Sequence, residues 1–100
     1  MRMISSIIFI SGKVQNVGFR SKMKEIADRL NVKGRVMNLY NGNIKAILEG
    51  DEDSVKKLIE WAQKGPASAE VKSIKVSPQP YEGKYSRFEI LVLSYKKPWK

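Results

Sequence analysis

A chain of 100 residues, 42% of them hydrophobic, can bury one modest core and is too short for two ordinary domains. It contains neither cysteine nor histidine, which excludes disulfides, thiol nucleophiles and thiolate metal sites and removes the commonest general base and metal ligand. With 19 Lys and Arg against 10 Asp and Glu, the net charge of +9 attracts anions, but the basic residues are spread along the chain and select no particular partner.

The elements can be read in chain order. Residues 4–11 are apolar and β-branched, which predicts a central strand. From Arg20 to Leu30 the apolar residues Met23, Ile26, Ala27 and Leu30, preceded by Phe19, fall at helical spacing, with Lys22, Lys24, Glu25 and Arg29 facing water. Residues 32–38 and 43–49 read as two strands around Leu39-Tyr40-Asn41-Gly42, where Asn-Gly is a hairpin-turn signal, and Ile44, Ala46 and Leu48 mark a buried face. Asp51-Glu52-Asp53-Ser54 brings acidic and capping residues to a second helix with the apolar stripe Val55, Leu58, Ile59 and Ala62, stopped by Gly65-Pro66; Trp61 flanks this helix against the core. Residues 71–76 predict a fourth strand, residues 77–86 a loop, and Phe88, Ile90 and Val92 a fifth strand. The order is β-α-β-β-α-β with an additional C-terminal strand. It predicts an α+β, ferredoxin-like α/β sandwich with two helices on one face of a mainly antiparallel sheet. Residues 1–93 form the expected domain, followed by a short basic tail, 94–100, read as a frayed end. No apolar run is long enough to span a bilayer, and the first ten residues are too short and interrupted for a signal peptide, so a soluble cytoplasmic protein is expected.

The segment Gly12-Lys13-Val14-Gln15-Asn16-Val17-Gly18-Phe19-Arg20 joins the first strand to the first helix. Glycine at both ends allows a tight bend that aims backbone N–H groups inward, and the following helix adds unpaired donors and a positive dipole end. Arg20 supplies a planar fork matching phosphate oxygens. The first and second strands should run parallel through a right-handed crossover, which carries Asn38 to the same end of the sheet as the loop, 18 positions from Arg20 in sequence. Considered singly, these residues have ordinary explanations: a solvated arginine, a turn asparagine, turn glycines, a polar loop glutamine. Their convergence favours a site.

Gly12, Val14, Gln15, Val17, Phe19 and Arg20 resemble the first signature of the acylphosphatase family, with Asn16 where the family has glycine. Gly34, Val36, Asn38, Gly42, Ile44 and Gly50 approximate the second, with Arg35 in place of an aromatic residue and Met37 in place of a frequently basic one. The resemblance covers nearly the whole chain. It implies hydrolysis of the carboxyl–phosphate bond of an acyl phosphate by a monomeric enzyme that needs no cofactor or metal. The leaving carboxylate belongs to an acid of pKa about 4 and departs without protonation. The resemblance further implies that Arg20 and the N–H groups of Gln15, Asn16, Val17, Gly18 and Phe19 hold the phosphoryl oxygens, while the Asn38 amide orients the attacking water.

Two consequences of Asn16 stay open in the sequence. If the family glycine serves a positive φ, asparagine is a cheap replacement; if it serves close approach of substrate, the added amide crowds the phosphate. The alternative to an enzyme is a catalytically weak anion- or RNA-binding module on the same sandwich. Against nucleic acid stands the missing Lys/Arg-Gly-aromatic-Gly-aromatic signature of sheets that stack bases.

Overall fold

The computed structural model describes residues 2–92. Five strands and two helices follow one another as β1 (Met3–Lys13), α1 (Phe19–Leu30), β2 (Lys33–Asn38), β3 (Ile44–Asp51), α2 (Glu52–Ala62), β4 (Glu70–Gln79) and β5 (Phe88–Leu91). The strands form one sheet in the order β4-β1-β3-β2-β5. β1 and β2 each pair antiparallel with β3, so they run parallel to one another and end at the same edge of the molecule. β5 lies parallel to β2.

Alternation decides which face is covered. Ile8 and Ile10 of β1 face the helices in register with Ala46 and Ile44 of β3, and Val36 of β2 and Leu48 of β3 complete the buried row. Against them pack Phe19, Met23 and Ala27 of α1 and Val55, Leu58 and Ala62 of α2, all at most 2% exposed. Burying each of these larger apolar side chains contributes roughly 1.5–3 kcal/mol. Trp61 flanks this core as expected, its ring 5.1 Å from that of Phe19.

Several boundaries differ from the sequence reading. β1 continues through Gly12 and Lys13, and Gly12 sits at a register shift against β4 rather than opening the loop. At its φ of 123°, a Cβ would collide with the Glu70 carbonyl, so Gly12 is needed for strand contact. β4 runs on through Ser77, Pro78 and Gln79, which were expected in a loop; as a sheet edge it tolerates a proline that cannot donate a ladder bond. Val92 falls beyond β5 and is 79% exposed, so it is not on the buried face. Asp51 precedes α2 without a side-chain capping bond; the Glu52 N–H donates instead to the Arg2 carbonyl at 2.8 Å. Lys24 also departs from expectation. It is half-buried and donates to the Phe88 carbonyl at 2.9 Å, fastening α1 to β5. The expected tail at 94–100 lies outside the described residues.

Candidate active site

The loop between β1 and α1 alternates apolar anchors with exposed backbone. Val14 and Phe19 are at most 2% exposed, and Val17 packs against the core, so their side chains turn inward. Asn16 and Gly18, between them, are exposed and carry left-handed φ angles of 62° and 78°. Each such residue reverses the local chain direction, and glycine and asparagine are the types that adopt this conformation at least cost. Of the two possibilities for Asn16, its backbone satisfies the conformational one. At Gly18 a Cβ would meet nothing within 4 Å, so its conformation, not crowding by protein, accounts for glycine there.

Gly18 is the N-cap of α1, and its carbonyl accepts the first helical bond from the Lys22 N–H at 3.1 Å. The N–H groups of Phe19, Arg20 and Ser21 therefore have no partners within the helix. α1 has no acidic residue in its first turn, whereas α2 has Glu52 and Asp53 there. The positive end of the α1 dipole is thus left uncompensated, which favours an anion. Phe19 contributes only its backbone to this mouth, its ring being committed to the core.

Arg20 differs from its helical neighbours. Lys22 pairs with Glu25, Lys24 with Asp28, and Arg29 with Glu25. Arg20, half-buried in the first turn, has no hydrogen bond or ion pair among the described residues.

Asn38 is the last residue of β2 and pairs in register with the buried Ile44. Its Oδ1 is buried without a hydrogen-bond partner among the described residues. Such an oxygen normally costs stability of about 1–3 kcal/mol, so a donor supplied from outside the chain is the ordinary resolution.

The loop and the end of β2 are joined by Gln15. Its Nε2 donates to the Leu39 carbonyl at 2.8 Å and the Asn43 carbonyl at 3.0 Å, spanning the mouth of the β2–β3 turn. From the other side, Ser68 Oγ donates to the Val17 carbonyl at 3.1 Å. Sequence reasoning assigned Gln15 only a backbone contact and missed Ser68. For Gln15 the signal was an amide beside a tight loop, able to donate twice from one nitrogen; for Ser68 there was none, since 51 residues separate it from Val17. Replacing Gln15 with leucine should remove one of two donors to each turn carbonyl, leaving the Gly42 N–H on the Leu39 carbonyl and the Leu39 N–H on the Asn43 carbonyl, lower stability by roughly 1 kcal/mol and reduce catalytic efficiency about tenfold through loss of positioning. Thermal melting and steady-state kinetics on the same preparation check both effects.

Among the described residues, no three Asp or Glu side chains cluster as metal ligands. Among the described residues, the chemistry available at this end of the sheet includes amide donors, the guanidinium of Arg20 and the unpartnered amide oxygen of Asn38, carried on a ferredoxin-like α/β sandwich. Donors of this kind suit a tetrahedral oxyanion.

Comparison with known proteins makes the class specific. Residues 6–90 match the family model for Acylphosphatase. A protein from Pyrobaculum aerophilum named Acylphosphatase is 47% identical over 92 residues, covering 91% of this chain and 97% of that one. The solved acylphosphatase of Coxiella burnetii superposes with a TM-score of 0.84 at 32% identity, over 89% of this chain and 93% of that one. The phosphate- and nucleotide-bound structure of full-length HypF matches with a TM-score of 0.82 at 28% identity over 90% of this chain, but only 12% of HypF is covered. The chain belongs to the acylphosphatase family, hydrolases that act on acyl phosphates. Membership does not favour a catalytically weak binding module in the enzyme's place.

Proposed function

We propose that the mouth formed by residues 15–20 and Asn38 is where an acyl phosphate is hydrolysed. The observation that carries this reading is the buried, unpartnered Asn38 Oδ1 at the end of β2, held to the loop side by the two Gln15 bonds. The phosphoryl oxygens lie against the Arg20 guanidinium and the N–H groups from Gln15 to Phe19. A water donates one hydrogen to Asn38 Oδ1, which aims its lone pair at phosphorus.

Attack forms a new P–O bond as the bond from phosphorus to the acyl oxygen breaks. The electron pair leaves with the carboxylate, and the protons of the water remain on the released phosphate. Because the carboxylate is already a weak base, no acid needs to protonate it. Positioning and charge stabilisation are the contributions on which phosphoryl transfer mainly depends. Acyl phosphates are charged and do not cross bilayers freely, which supports a cytoplasmic setting.

The test is phosphate release from benzoyl phosphate in the presence of a chelator, with spontaneous hydrolysis subtracted. Wild type should turn over, and Asn16→Gly should remain within about threefold of it, because the left-handed backbone at that position is available to both residues at a difference of well under 1 kcal/mol. A folded wild type that gives only background hydrolysis, with activity appearing in Asn16→Gly, would show that the Asn16 side chain blocks the site. Background hydrolysis in both would overturn the reading.

A further inference from the structure

The sheet face opposite the helices is only half covered. The connection between β4 and β5 lies across one end, where Tyr85 N–H donates to Glu49 Oε1 at 3.4 Å and the Arg35 guanidinium stacks 5.2 Å from the Tyr85 ring centre. Pro80, Glu82, Lys84 and Tyr85 enclose a cavity of about 140 Å³ there with Ile7 and Ile47. Glu49 beneath them is 3% exposed.

At the other end, the strand register sets one transverse row across all five strands. Phe9 of β1 stands opposite Lys75 of β4 on one side and Lys45 of β3 on the other; Lys45 stands opposite Met37, and Met37 opposite Leu91. Directly opposed residues share a face, so Lys75, Phe9, Lys45, Met37 and Leu91 form a continuous strip about 19 Å long, at the usual spacing between strands. Lys75 is exposed and the other four are half-buried. Neither lysine has a carboxylate partner among the described residues, and Lys45 Nζ lies 5.8 Å from the centre of the Phe9 ring. In the neighbouring row, Glu89 is paired with Arg87 at 3.1 Å.

We propose that this row is a second binding surface, for single-stranded nucleic acid, in addition to the hydrolytic site. An aromatic ring on a central strand, flanked by two lysines without a carboxylate partner among the described residues, offers one base the ring face that Lys45 leaves open and its backbone two phosphate contacts. The missing sequence signature argued against nucleic acid because it marks several aromatic residues on adjacent strands. Here a single ring is supplemented by lysines brought beside it from 36 and 66 positions away, an arrangement only the register displays. The flanking aromatic favours a base over a purely charged partner such as an acidic protein. The strip lies on the face opposite Asn38 and Ile44, so occupancy should leave the hydrolytic site free.

The experiment is fluorescence anisotropy of a labelled 12-nucleotide oligouridine titrated with the whole chain, beginning at 50 mM salt, with a DNA duplex of equal length as the comparison. Phe9→Leu is expected to weaken oligouridine about tenfold and leave duplex binding unchanged, whereas Phe9→Tyr should retain both. The double substitution Lys45→Gln, Lys75→Gln should reduce the slope of log affinity against log salt by about 1.4, or 0.7 for each lost phosphate contact. All variants should hydrolyse benzoyl phosphate at the wild-type rate. No binding of oligouridine at 50 mM salt overturns the proposal, as does equal weakening of strand and duplex by Phe9→Leu, or an unchanged salt slope in the lysine variant. If Phe9→Leu loses its circular dichroism signal, the salt slope of the lysine variant decides alone.

Discussion

Arg20→Gln should lower kcat/KM for benzoyl phosphate about 10³-fold, in the range found when a preorganised donor to a developing oxyanion or phosphoryl charge is removed. The melting temperature should scarcely move. Arg20 has no hydrogen bond or ion pair among the described residues, so its removal breaks none of the contacts that hold α1, unlike Lys24, which pairs with Asp28 and reaches the Phe88 carbonyl. Arg20→Lys should recover little, because an ammonium cannot present two parallel N–H groups to two phosphoryl oxygens. An Arg20→Gln protein that stays folded and turns over within about tenfold of wild type would remove Arg20 from the site.

Asn38→Ala should separate activity from stability in the opposite sense to an ordinary buried substitution. Its kcat is expected to fall about 10²–10³-fold with KM nearly constant, since an amide that orients water acts in the transition state rather than on bound substrate. Thermal stability should hold, because no described residue donates to the Asn38 Oδ1 and the substitution therefore breaks no hydrogen bond of that oxygen within the protein. A large drop in melting temperature with modest loss of kcat would instead identify Asn38 as a turn-supporting residue. Kinetics and calorimetry on one preparation distinguish the two.

What the sequence disclosed followed from its strongest periodicities. The apolar run of β1, the helical stripe of Met23, Ala27 and Leu30, and the alternation of Ile44, Ala46 and Leu48 each had one plausible element, and short connections left few topologies. A parallel β1 and β2 place Arg20 and Asn38 at the same end of the sheet from topology alone. Edges were harder. Ser77, Pro78 and Gln79 look like loop residues, yet an edge strand needs only one hydrogen-bonded side and one covered face, so its composition carries little signal. Val92 continued an alternation that the sheet had already ended.

The candidate site was legible in its residue types but not in its support. Gln15 bonds across 24 and 28 positions, and Ser68 across 51; no local pattern encodes such contacts. The row through Phe9 was hidden for the same reason, since Lys45 and Lys75 become its neighbours only through strand pairing.

The Gln15 bridge also fixes how the enzyme should fail on heating. The two Gln15 hydrogen bonds tie one side of the loop to the β2–β3 turn, while Val14, Phe19 and the Ser68 bond hold the rest, so fraying of the hairpin would loosen the Gln15 side of the proposed phosphate-binding loop and shift Asn38 in one subglobal opening. Catalytic loss would then precede melting of the sheet core and coincide with faster hydrogen exchange at the Leu39 and Gly42 amides, both bonded within the hairpin.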